Sequence, residues 1–346
     1  MTRNRKIVFI GLSVTLSVTL TLAGLLVLDL YVHSRPGAYG GTNVWGYRGP
    51  VVGAKQQGER RIAVVGGSTA FGYGAGPEGN FPALLEEMLN QHAASTDSKV
   101  SVVNLAWTGE GAYAFKSTLQ DYEYLDYDAV LFYSGYNDLD RENTFVSRYN
   151  SPVYRLTGYL PLLPLMMQEK AMSLRYGGDL NAAYGDQKTV FRPNLVDRAT
   201  ATALEAATNV GTSLERQLAQ ITPESELDGD RLSHRADLGR EAPSCDYWRS
   251  YCGAMVLAVK LVLDGGKSAL VVTQPYRTAR HREQQSRLVA LLRQRFRGES
   301  RLHFANLGPT LNLMDPEVSG DTMHLSPAGN RHVAQYLVEP VRALVQ

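Results

Sequence analysis

Cysteine is scarce in this sequence, charge is balanced and repeats are missing. There are two cysteines in 346 residues, Cys245 and Cys252, with no histidine near either, so they do not make a metal site. A formal net charge of +1 provides no basic field for nucleic acid. No internal repeat or low-complexity tract occurs, which leaves no sign of a repeat architecture. Two glycine signatures also fall short. Gly67 and Gly72 have the spacing of a phosphate-cradling loop, but Tyr73 follows where a lysine must reach the phosphate. Gly72 and Gly74 begin a dinucleotide fingerprint, and Pro77 stands where its third glycine belongs.

Long apolar runs are equally rare, with one exception. Residues 7–28 contain no charged side chain, and as a helix these 22 residues extend about 33 Å, enough to cross a bilayer. Arg3, Arg5 and Lys6 precede the run and Asp29 follows it, which places the N-terminus in the cytoplasm. No small-x-small cleavage site follows, so an uncleaved anchor is favoured over a signal peptide. The expected organisation is a cytoplasmic tip and anchor over 1–35, a Gly/Pro-rich linker over 36–59, and a domain over 60–346. That makes the chain a single-pass protein of the inner membrane with its domain on the periplasmic side.

The remainder is ordinary globular composition, 44% apolar and 20% charged. Ile62–Gly66, Val100–Ala106, Ala129–Tyr133, Ser268–Gln274 and Leu302–Leu307 read as strands. Helical patterns lie between them: one begins at Phe81, others cover 112–125 and 278–298, and a last one starts at Ser326-Pro327, where Pro340 ends or kinks it. Strands separated by helices predict βαβ units and a parallel sheet. Residues 139–245 break this rhythm as a largely helical insertion. In it, 156–167 are apolar and interrupted by Pro161 and Pro164, suited to a lid, a membrane-surface contact or simple packing. Residues 204–221 have helical periodicity, and 223–243 read as loop. Trp248, Cys252, Met255, Val259 and Leu263 share one helical face. With Cys245 on the same helix, the two sulfurs would be two turns and about 10 Å apart, so the spacing favours free thiols unless Cys245 precedes the helix.

The chemistry centres on Arg61-Ile-Ala-Val-Val-Gly-Gly-Ser68-Thr. A serine just past a strand, on a glycine turn, sits where parallel sheets place their sites. It misses the Gly-x-Ser-x-Gly elbow by one methyl, at Ala70. Three other strand ends carry polar groups: Asn104 to Gly111, Gly135-Tyr-Asn137-Asp138 and Asp321-Thr-Met-His324. A serine hydroxyl needs a base, which His324 supplies, and Asp321 orients that imidazole. The backbone N–H groups of Ser68 and Gly109, with the Asn137 amide, supply donors for an oxyanion. Singly, each has a structural reading: Asn137 can cap a turn, Gly109 can make one, and His324 can flank a helix. Together they form a reactive set. His92, His234, His281 and His303 lack such company and read as structural or solvated; Glu110 and Asp138 flank the set.

These four blocks, in this order and after strands one, two, three and five, resemble those of the SGNH (GDSL-like) hydrolases. The first block departs, reading Gly-Gly-Ser68-Thr where the family has Gly-Asp-Ser. The resemblance covers about residues 60–135 and 265–346. It implies a flavodoxin-like three-layer αβα sandwich with a five-stranded parallel sheet. It implies Ser68 as nucleophile, Asp321 and His324 as its partners, and Ser68, Gly109 and Asn137 as the oxyanion hole. It also implies no metal or organic cofactor. The expected function is an extracytoplasmic serine esterase acting on an acyl or O-acetyl ester of a glycan or lipid. The alternatives are an O-acyltransferase on surface polysaccharide and a non-catalytic glycan-binding module.

Overall fold

The computed structural model describes residues 3–37, 40–91, 99–175, 200, 202 and 243–345. The expected helix over 204–221, the loop over 223–243, and His92 and His234 lie outside the described residues. The chain divides into two compact units, residues 1–36 with 151–221, and 37–150 with 222–346.

The first unit holds α1 (Arg3–His33), α6 (Pro152–Thr157) and α7 (Leu163–Arg175). Within α1, Asn4–His33 is long and apolar enough to cross a membrane, with a mean hydropathy of 2.1. Its apolar side chains are exposed, Ile7, Leu16 and Val27 each by more than half. Asp29, near its end, is buried and accepts N–H bonds from Leu162 at 2.9 Å and Leu163 at 2.5 Å, so it caps α7 from another helix. Pro164 falls in the first turn of α7, where its missing N–H is harmless, and so does not interrupt that helix.

The second unit is built on a five-stranded parallel sheet of order β2-β1-β3-β4-β5. The strands are β1 (Arg60–Gly66), β2 (Val100–Asn104), β3 (Ala129–Ser134), β4 (Ser268–Thr273) and β5 (Leu302–Asn306). Every residue of β2 and β3 is buried, as expected of strands covered on both faces. One apolar layer includes Phe115, Leu119, Phe132, Met255 and Leu288. The opposite layer includes Phe81, Leu85, Leu131, Val333 and Leu337. The helices supplying them are α4 (Phe81–Asn90), α5 (Tyr113–Asp121), α8 (Arg249–Asp264), α9 (Ala279–Arg295) and α10 (Pro327–Val345); α2 (Ser68–Phe71) and α3 (Gly76–Gly79) are single turns. This is the expected three-layer α/β arrangement. Burying each large side chain of these layers contributes about 1.5–3 kcal/mol before the entropy of ordering is set against it.

Three features depart from the sequence reading. Pro340 lies inside α10, which runs on past it to Val345, so it does not end the helix. Tyr47 and Arg48, in the stretch read as linker, are buried in the second unit; Arg48 stacks on Phe71 and donates to the carbonyls of Gly37, Gly40 and Gly41. Cys245 and Cys252 form a disulfide rather than free thiols. The helical face does hold Cys252, but α8 begins at Arg249 and Asp246 reverses the chain with φ 44°, ψ −108°. Cys245 therefore precedes the helix, and its Cα comes within 6.4 Å of its partner's.

Candidate active site

The chain leaves β1 at Gly66 and reverses through Gly67 into α2, whose first residue is Ser68. Chain order explains why chemistry collects here. β2 lies on one side of β1 and β3 on the other, so the connections part above β1 and leave a crevice at the carboxyl edge of the sheet. The loop after β2 is tied to this edge, because Trp107 donates its N–H to Gly66 O at 3.1 Å. Glycine at 67 is required by close approach: a Cβ there would stand 2.4 Å from Asn137 Nδ2 and 3.0 Å from Glu110 O.

Ser68, His324 and Asp321 are brought into one chain of hydrogen bonds. His324 Nε2 lies 2.9 Å from Ser68 Oγ, and its Nδ1 lies 2.5 Å from Asp321 Oδ2. The turn before α10 makes the second contact possible. Thr322 takes φ 64°, a left-handed conformation that a β-branched residue avoids. The reversal lets Asp321 Oδ1 accept the N–H groups of Met323 at 2.9 Å and His324 at 2.7 Å, leaving Oδ2 for the ring. Burial raises the Asp321 carboxyl, but the hydrogen bonds and charge of His324 outweigh it and hold the group below the usual carboxylate range. The imidazole remains accessible, with a side-chain exposure of 22%.

Asn137 reaches the same place from the turn Tyr136–Asp138 after β3. Its Nδ2 donates to Glu110 O at 2.8 Å, which fixes the amide and leaves its second N–H. Asn137, Ser68, Gly67 and Gly135 line a crevice of about 10 Å³, close to the space one water oxygen takes. Gly109 lies on the neighbouring loop with φ 76°, its carbonyl accepting from Asn143 Nδ2 at 2.9 Å. Two buried carboxyls flank the site. Burial pushes Asp138 up to about 7 against one hydrogen bond from the Ala112 N–H, at 3.2 Å. Burial also raises Glu110, opposed by the charge of Arg148 and the Ser147 N–H.

Several contributors were not legible in the sequence. The Tyr73 ring packs against His324 with centroids 4.8 Å apart. Gln274 accepts the Tyr136 N–H at 3.0 Å and donates to Thr69 Oγ1 at 3.2 Å, linking β4 to both the serine helix and the asparagine turn. Gln285 and Gln284 brace that turn from below through Ser134 O and Asp138 O. Their only sequence signal is position at the end of a strand or on an arginine-rich helix. His281 and His303 stand apart from the reactive set, His281 buried in α9 and His303 half-buried in β5.

No protein family and no curated protein compared with the sequence matches it. Solved structures similar to the chain include a family 3 carbohydrate esterase from Clostridium thermocellum, 12% identical over 83% of this chain and 100% of that one, with a TM-score of 0.40. A GDSL-like lipase from Bacteroides thetaiotaomicron is 10% identical over 82% and 87%, at 0.36. An alpha/beta hydrolase enzyme from the metagenome of Lake Arreo, Spain, is 13% identical over 83% and 97%, at 0.37. At such values the likeness carries no functional weight, and only the geometry of the site does.

Proposed function

We propose that the chain is a membrane-anchored serine hydrolase that cleaves an acyl ester outside the cytoplasm. The observation that carries this reading is the relay from Ser68 Oγ to His324 Nε2 at 2.9 Å and from His324 Nδ1 to Asp321 Oδ2 at 2.5 Å. In the reaction, Ser68 Oγ attacks the ester carbonyl carbon as its proton passes to Nε2. The resulting imidazolium is stabilised by Asp321, which fixes Nδ1–H in the required tautomer. The carbonyl oxygen becomes an oxyanion, and the N–H groups of Ser68 and Gly109 and the second amide N–H of Asn137 receive it. The proton on Nε2 goes to the departing alkoxide. Water then attacks the acyl-serine by the same route, giving the carboxylic acid and free Ser68.

Two observations favour the extracytoplasmic side. A helix able to cross a bilayer carries Arg3, Arg5 and Lys6 at its N-terminal end, and the domain carries a disulfide, which persists in oxidising compartments. The test is labelling of the full chain in detergent with a fluorophosphonate. The native protein is expected to label and to hydrolyse 4-nitrophenyl acetate. Ser68→Ala should lose both, with turnover falling by about 10⁴-fold or more. Equal labelling of Ser68→Ala would refute the assignment.

A further inference from the structure

A second cavity opens beside the oxyanion turn. Its volume is 270 Å³, at the lower end of ligand sites and suited to one ring-sized group. Tyr113, Tyr247, Trp248 and Tyr251 contribute aromatic walls, with Asp138 and Asn143 between them. The other described lining residues are Arg141, Glu142, Thr144 and Ser250, so no aliphatic side chain faces the space among the described residues.

The walls are held in place. Tyr247, Trp248, Ser250 and Tyr251 lie in the loop closed by, or immediately before, Cys252 of the Cys245–Cys252 disulfide. Three hydrogen bonds stitch this segment to the chain after β3. Tyr247 OH donates to Asp140 O at 2.6 Å, Trp248 Nε1 to Leu139 O at 2.9 Å, and Ser250 Oγ to Glu142 Oε1 at 2.8 Å. Arg280 stacks on the Tyr247 ring, 4.5 Å from its centroid.

The cavity is also continuous with the reactive site through its residues. Asp138 directly follows Asn137 and lines both the cavity and the crevice that holds Ser68. Asn143 binds Gly109 O. Asp138 is 5% exposed, and its Oδ2 accepts the Ala112 N–H, but Oδ1 has no hydrogen-bond partner among the described residues. Gly111 is what admits this carboxyl, since a Cβ there would stand 2.3 Å from Oδ1. Asp138 lines the cavity, so a ligand hydroxyl seated there can donate to its carboxylate.

We propose that this cavity is a sugar subsite, seating a pyranose ring of the ester's alcohol portion with its C–H face on the aromatic walls and a hydroxyl on Asp138. A lipid chain does not fit this lining, because it would meet carboxyl, amide and guanidinium groups that it cannot bond. Aromatic faces bordered by fixed polar groups suit a ring that is apolar on its faces and polar around its rim. The proposal rests on the hydrolase reading for its position beside Ser68, although sugar binding itself does not require catalysis.

Two measurements on the full chain in detergent test it. In the first, kcat/KM for glucose pentaacetate is divided by kcat/KM for 4-nitrophenyl acetate. Tyr247→Ala removes an exposed ring with little risk to folding and should lower this ratio about tenfold, mostly through KM, while Tyr247→Phe, which keeps the ring, should restore it. In the second, cellotriose and chitotriose are titrated into Ser68→Ala by intrinsic fluorescence; saturable quenching is expected, and should be lost in Ser68→Ala/Tyr247→Ala. Ester hydrolysis with an unchanged ratio and no quenching would overturn the subsite and leave the hydrolase standing. Quenching that Tyr247→Ala abolishes, in a chain that never cleaves an ester, would support the subsite and sink the hydrolase.

Discussion

Two aspartate–histidine pairs among the described residues are built in opposite ways. Asp29 and His33 stand four apart on α1, with His33 Nε2 3.3 Å from Asp29 Oδ2. Asp321 and His324 stand three apart in a turn, 2.5 Å between Oδ2 and Nδ1. In the first pair both residues are buried, and the carboxylate also accepts from Tyr159 OH and the N–H groups of Leu162 and Leu163. The His33 nitrogen facing Asp29 lies 3.2 Å from Leu160 O as well. That pair fastens one helix to the start of another. In the second pair the aspartate grips only its own turn, the ring is part-exposed, and the far nitrogen meets a serine hydroxyl. Proximity of carboxylate and imidazole is therefore not what sets the proposed relay apart. The difference lies in what the second imidazole nitrogen faces and whether a substrate can reach it.

Asparagine at each position separates the two most sharply. Asp321→Asn places an amide against Nδ1, favours the wrong tautomer and removes the charge that stabilises the imidazolium. Turnover of 4-nitrophenyl acetate should fall by about 10³–10⁴-fold with the fold retained. Asp29→Asn should leave turnover within about twofold while weakening the α1–α7 junction. Comparable losses of turnover in both variants would erase the distinction. A smaller effect is expected at Asn137, whose amide is proposed to serve the oxyanion and not the proton relay: Asn137→Ala should lower kcat by about 10²–10³-fold with KM little altered. A change confined to KM would remove Asn137 from the transition state.

The two pairs also differ in how far the sequence disclosed them. Asp321, His324, Ser68, Gly109 and Asn137 were legible because each lies just past a predicted strand or before a predicted helix, and a parallel sheet carries all such points to one edge. The strands were legible for a similar reason: they are continuous apolar runs between glycines and polar loops. Asp29 looks like the end of an apolar run, because its donors Tyr159, Leu162 and Leu163 lie 130 and more residues away and no local pattern encodes them. The disulfide depended on where α8 starts, a boundary that periodicity places only within a few residues. The aromatic cavity was hidden because its walls come from the ends of β3, α5 and α8 together.

The structural role of Asp29 predicts a stability effect without a catalytic one. Asp29→Ala would leave the N–H groups of Leu162 and Leu163 and the Tyr159 hydroxyl without their acceptor, a loss of about 1–3 kcal/mol at the junction. Limited proteolysis of the full chain in detergent should then cut within 156–167 several-fold faster, with 4-nitrophenyl acetate turnover preserved. An unchanged cleavage rate would mean that other contacts hold α7.

A third histidine completes the comparison, with the smallest expected effect. His281 is fully buried beside Tyr136, and neither ring nitrogen has a hydrogen-bond partner among the described residues. Burial, with the nearby Arg277 charge, lowers its pKa to about 4. Unfolding restores a value of about 6.5, so the unfolded chain binds the extra proton between these limits. The contribution of His281 is thus fully present above about pH 6.5 and lost as the pH falls toward 4. Asp138 acts in the opposite direction. Burial raises it to about 7 from an unfolded value of about 3.9, so its burden grows as the pH rises through this same interval. The native protein sums the two slopes, and its stability curve alone cannot separate them. Urea midpoints measured from pH 4 to 8 for native protein and His281→Phe can, because Asp138 is common to both. The advantage of the native protein over the variant should shrink as the pH falls from 6.5 to 4. A difference that stays constant with pH would mean that His281 titrates alike in the folded and unfolded chains, and that its ring is not held neutral by burial.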